Sequence, residues 1–151
     1  MKLNNDIYSN LLESRMLRDN DEIEKYEHNL ELLAESFTEG DIIELCSTFE
    51  DKTHNSEVMF SAVHLLETLS SEIAFENTIK GVVSMSNSSP EWANIIIYRC
   101  LNDEFSVQMI KKVYSRLENK ISSKFKKILE EIKKDDADRF GKTVDEILTS
   151  F

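Results

Sequence analysis

The chain reads as all-α, and three observations predict it. With only three glycines and one proline in 151 residues, it lacks the turn residues of a β fold. Apolar residues recur at intervals of three and four along most of its length, the period of a helix face. Ser, Asn or Asp stands where most of the periodic runs begin, as N-caps do. Together these predict seven to nine helices in antiparallel pairs, stacked as a HEAT-like α-solenoid or a compact helical bundle. Residues 1–151 are expected to form a single all-helical domain.

The first predicted helix spans 4–18, capped by Asn4 or Asn5, with Ile7, Leu11 and Leu12 on its apolar side. Asp19-Asn-Asp21 breaks that pattern and caps a second helix over 21–37, whose Ile23, Tyr26, Leu30, Leu33 and Phe37 share one face. Its other face carries Glu22, Glu24, Glu27, Glu31 and Glu35. The immediate succession of the two predicts an antiparallel hairpin. A short helix over 41–48 and a polar loop, Glu50 to Asn55, come next. The chain is expected to be organised around the following stretch, a helix from Asn55 or Ser56 to Leu69 that is apolar on most sides and so should be enclosed. A fifth helix covers 71–84, with Ile73 and Phe75 among its apolar residues. Gly81 within it predicts a close backbone contact, since mid-helix glycine costs about 1 kcal/mol against alanine. Ser89-Pro90-Glu91 opens a sixth helix, to Leu101, which should pack against the organising one. Asn102-Asp103 caps a helical stretch to 134, whose apolar stripe begins at Phe105 and which can break near 118–123. The run from Asp135 to Asp138 opens the last helix.

The organising helix carries a narrow polar stripe, Glu57, Ser61, His64 and Thr68, with Glu67 beside it. In one reading Glu57 and His64 line a site. In the other they anchor the preceding loop and satisfy hydrogen bonds inside the stack, as buried polar groups must. Arg99 of the sixth helix offers itself as partner to Glu57 or Glu67. Breaking a fully buried pair of that kind costs about 3–5 kcal/mol.

Charge separates the functional classes. Asp and Glu number 29 against 18 Lys and Arg, a net of −11. Residues 1–60 hold 15 acids and 5 bases, a net of −10, while residues 61–151 hold 14 and 13, a net of −1. Such acidity disfavours nucleic acid and accelerates encounter with a basic partner. The basic run Lys111, Lys112, Arg116, Lys120, Lys124, Lys126 and Lys127 is expected to be solvated or to pair with the acidic N-terminal helices. Cys46 and Cys100 read as two buried thiols in a reducing compartment. With neither an apolar leader nor a run approaching the ~18 residues of a membrane span, a cytoplasmic protein is expected.

Catalytic patterns are sparse. His28, His54 and His64 lack metal-ligand spacing with one another or with either cysteine. Gly141-Lys142-Thr143 resembles the end of a phosphate loop, but Asp136 stands where the first glycine would be. The residues by themselves therefore point to an acidic helical binding module with no cofactor and no catalytic centre.

Several fixed-spacing motifs resemble those of the immunity protein 30 family. They are Asp41-Ile-Ile-x-Leu-Cys46, Phe49-x-Asp51-x-Thr53, Glu57-Val-Met-Phe60 with Val63-His64-x-x-Glu67, Pro90-Glu-Trp92-Ala93, and Arg99-x-Leu101-Asn102. The resemblance covers about 40–105 and departs at Cys100, where isoleucine is expected. It implies a bacterial protein that binds and neutralises the toxic C-terminal domain of a contact-dependent or polymorphic toxin, as a monomer in a 1:1 complex. It further implies that many such domains are nucleases, RNases foremost, with a basic active site that an acidic protein can cover. On this reading Glu24, Glu27, Glu31, Glu35, Glu50 and Asp51 contact the partner, and Glu57, His64, Glu67, Trp92, Arg99 and Asn102 form a structural polar core. The competing class is an acidic helical adaptor that holds a peptide or helix of an unrelated protein.

Overall fold

Local capping sets most helix starts. A computed structural model describes residues 2–150, with side chains from Asn4 onward. Among them are nine α-helices and no strand: α1 (Lys2–Ser14), α2 (Asn20–Ala34), α3 (Ile42–Cys46), α4 (Ser56–Leu66), α5 (Glu72–Met85), α6 (Pro90–Leu101), α7 (Glu104–Tyr114), α8 (Asn119–Asp135) and α9 (Ala137–Leu148). A single 3-10 turn, Glu39–Asp41, leads into α3. The side chains of Asp19, Asn55, Ser71, Asp103 and Asp136 accept the backbone N–H three residues on, closing the starts of α2, α4, α5, α7 and α9. The break expected near 118–123 falls at 115–118, between α7 and α8.

Several expected boundaries move: α2 ends at Ala34 rather than 37, α4 at Leu66 rather than Leu69, and α1 shifts at both ends. Asn4 and Asn5 lie inside α1 rather than capping it, and α1 stops at Ser14, not at residue 18. The Ser14 hydroxyl donates to the Asn10 carbonyl at 2.7 Å. Leu17 then takes a left-handed backbone, φ 52, and buries its side chain. This conformation is uncommon for leucine and needs support from its surroundings. The support comes from Thr53 and His54: the Thr53 hydroxyl donates to the Arg15 carbonyl at 2.8 Å, and the His54 N–H donates to the Met16 carbonyl at 2.8 Å.

The same loop reaches the other way. The Ser89 hydroxyl donates to the Phe49 carbonyl at 2.8 Å, and the Trp92 indole donates to the Glu50 carbonyl at 3.0 Å. Loop 49–55 thus joins the α1–α2 turn to the start of α6. It holds together segments about 40 residues distant on either side.

Packing is organised around α5, not α4. Helix α5 touches the 3-10 turn, α3, α6, α7 and α8. The predicted close contact at Gly81 is present: a Cβ there would lie 2.5 Å from Cys46 Sγ and 2.9 Å from Cys46 Cβ. Contacts run α3–α5–α7–α9, with α2–α4 alongside, so alternate helices are neighbours. Consecutive helices pack as well, α1 on α2, α5 on α6, α6 on α7 and α8 on α9, and α8 also reaches α5, which gives a compact bundle. Ile73 and Phe105, expected in the apolar stripes, are exposed at the starts of α5 and α7.

Candidate interaction surface

Helix α2 presents the acidic face. Tyr26, Asn29, Leu30 and Leu33 are buried, which turns Glu24, Glu27, Glu31 and Glu35 outward. Its rotation is held by Asn29, which accepts from the Asn10 side chain at 3.0 Å and donates to the Lys25 carbonyl at 2.7 Å. At its start Glu22 accepts from the Arg18 guanidinium at 2.7 Å, and that contact holds its carboxyl down at about 2.

None of the four outward glutamates has a salt-bridge or hydrogen-bond partner among the described residues. The N-terminal pairs are Arg15–Glu50, Arg18–Glu22 and Lys25–Glu13. Of the basic run, Lys120, Lys124, Lys126 and Lys127 are solvated as expected, and the three that form ion pairs do so away from the N-terminal helices. Lys112 and Arg116 meet Glu72, Arg116 also approaches Glu76, and Lys111 meets Glu146. Three residues of the basic segment thus pair with glutamates of α5 and α9, and the outward glutamates of α2 stay open to solvent.

Glu50 and Asp51 stand apart from that face. Both Asp51 carboxylate oxygens accept backbone N–H groups at the start of α6, from Glu91 at 3.0 Å and Trp92 at 3.1 Å. Ser89, the residue expected to cap α6, makes no such bond because its hydroxyl is turned to Phe49. The cap comes instead from a residue about 40 positions earlier. Glu50 is half-buried, accepts from the Lys52 N–H at 3.0 Å and lies 4.0 Å from Arg15.

The expected polar core is mostly a surface. Glu57, His64, Glu67, Arg99 and Asn102 are exposed, and of that set Trp92 alone is buried. The apolar pattern predicts that α4 is enclosed, but its polar stripe faces solvent and leaves only part of the circumference to the core. Arg99 chooses Glu67, with hydrogen bonds of 2.6 and 2.8 Å. Both side chains are about two-fifths exposed, 41% and 42%, so the pair contributes about 0–1 kcal/mol rather than the buried-pair figure. Arg99 also lies over the Phe60 ring at 5.7 Å, and Phe60 meets Trp92 at 5.3 Å. These contacts join α4 to α6. Asn102 accepts from Arg139 at 3.2 Å.

Two grooves open beside these residues. One, of about 300 Å³, lies between α2 and α4 and brings Glu27 and Glu31 opposite Ser61 and His64. The other, of about 490 Å³, lies among α4, α5, α6 and α7 and is lined by Leu66, Phe75, Ile96, Cys100 and Phe105. Burial pushes the thiols of Cys46 and Cys100 up to about 12, so both stay protonated at neutral pH. Both cysteines are free. Among the described residues no group of three or more His, Cys, Asp and Glu is placed to hold a metal ion. Among the described residues no helix is long and apolar enough to cross a membrane.

Fold and surface define an all-helical protein with an acidic α2 face that has no ion-pair partner among the described residues. The immunity protein 30 family model matches residues 13–110, about two-thirds of the chain, and the chain belongs to that family. No curated protein and no solved structure matches it. Membership implies a cognate toxin as partner.

Proposed function

We propose that this protein neutralises the toxic C-terminal domain of a contact-dependent or polymorphic toxin by covering a basic active site. The proposed target is a nuclease, foremost an RNase. A nuclease gathers cations where it holds phosphates, and a row of carboxylates can occupy the same cations. The protein would act in the cytoplasm as a single-domain monomer in a 1:1 complex, by occupancy and without catalysis.

One observation carries this reading beyond family membership. The carboxylates of α2 weaken their own helix. Glu27, Glu31 and Glu35 succeed one another at intervals of four, where like charges repel. Glu31 lies in the last turn and Glu35 is the C-cap, where the helix dipole disfavours negative charge; that turn holds no basic residue. Such a row is relieved when a cationic surface covers it.

The test uses the C-terminal domain encoded by the reading frame immediately upstream. The pair E24K/E31K is expected to weaken binding by tenfold or more, taking about 1.4 kcal/mol as one decade, with the fold intact by circular dichroism. Unaltered affinity sinks the proposal.

A further inference from the structure

We infer that the groove between α2 and α4 receives an arginine side chain of the partner. This rests on the proposed function and gives it a point of contact. The groove is about 300 Å³ and has three kinds of wall. Glu27 and Glu31 stand on the α2 side, one turn apart, a spacing of about 6 Å between neighbouring side chains. Leu30 and Leu65 supply apolar lining. Ser61 and His64 stand on the α4 side, and neither side chain has a hydrogen-bond partner among the described residues, although Thr68, just past the end of α4, donates to the Leu65 carbonyl.

Each alternative occupant fails on one wall. An anion meets two carboxylates. A wholly apolar side chain strips water from those carboxylates and returns no hydrogen bond. A lysine offers a compact, strongly hydrated charge that gives up water reluctantly. An arginine satisfies all three: its methylenes lie on Leu30 and Leu65, and its planar, weakly hydrated guanidinium spreads five donors across two carboxylates and a hydroxyl. The His64 imidazole gives that plane a ring to stack on. Ser61 and His64 thereby become contact residues, and Glu27 and Glu31 outrank Glu24 and Glu35, which lie outside the groove.

The experiment titrates N-acetylarginine amide into the full 15N-labelled chain and follows backbone amides by NMR. N-acetylcitrulline amide, of the same shape without the charge, is the control. Saturable shifts are expected at residues 27–34 and 61–68, with none from the citrulline compound. E27Q/E31Q is expected to weaken the arginine compound about tenfold, through loss of two charged contacts. E24Q/E35Q should leave it unchanged, and the spectra themselves report that each variant is folded. Shifts that do not saturate, that spread evenly over the acids of residues 1–60, or that respond equally to both double variants overturn the inference. The two readings fail separately. An upstream toxin domain that binds the native chain and E27Q/E31Q alike removes the groove and leaves immunity standing. A groove that takes arginine in a chain the toxin domain ignores removes immunity alone.

Discussion

Asp51 receives two backbone N–H groups, from Glu91 and Trp92, on its two carboxylate oxygens. A charged cap of this kind serves the first turn of α6 and the helix dipole together. Asp51→Ala is therefore expected to destabilise the fold by about 1–2 kcal/mol, read as a lower midpoint in urea unfolding. Asp51→Asn keeps one acceptor and should lose less. An Asp51→Ala variant with native stability and weakened toxin binding would return this residue to the interface. Other single residues differ in how much they announce. Gly81 announces a close contact by being a glycine in mid-helix, and the contact with Cys46 is there. Asp51 announces nothing, because its partners are set by the path of the chain between residues 51 and 91. In the same way Arg99 declares a need for a carboxylate, and only geometry selects Glu67 over Glu57.

At the scale of one element, α2 trades stability for charge. Replacing Glu31 with Lys turns two repulsive i, i+4 relations into attractive ones and places a cation in the last turn. Glu31→Lys is expected to raise the unfolding free energy by about 0.5–1 kcal/mol while weakening association with the toxin domain. A thermal melt and a binding isotherm on the same sample read both. A destabilised variant would mean that Glu31 has a partner inside the fold. The helical period exposed the apolar and acidic faces of α2 correctly, since burying Tyr26, Leu30 and Leu33 fixes which side faces out. For α4 the period misled. Apolar residues on most sides predict enclosure, but Val58 and Phe60 are only half-buried and the polar stripe is open. A helix shows where it is able to bury surface, and its neighbours decide how much of that surface they cover.

Across the whole molecule, charge is divided rather than merely abundant. Lys111 and Lys112 of α7, with Arg116 just beyond its end, meet glutamates of α5 and α9, so among the described residues they leave the acid excess of residues 1–60 uncancelled. Association with a basic toxin domain is expected to slow steeply as salt rises, with dissociation much less affected. Stopped-flow association over a salt series tests this. A rate indifferent to salt favours the adaptor reading, in which a peptide is held by apolar contacts in the groove lined by Phe75 and Phe105.

The sequence by itself determined the helical class, most helix boundaries, the outward face of α2 and the concentration of acid in the first 60 residues. These follow from interactions among residues a few positions apart, which a linear pattern records. The tertiary structure decided that loop 49–55 joins the α1–α2 turn to α6, that α5 is the packing centre, that Asp51 caps a distant helix, and that α2 and α4 enclose a groove between them. Each of these depends on which segments meet after long loops have closed, and side-chain periodicity carries no record of that.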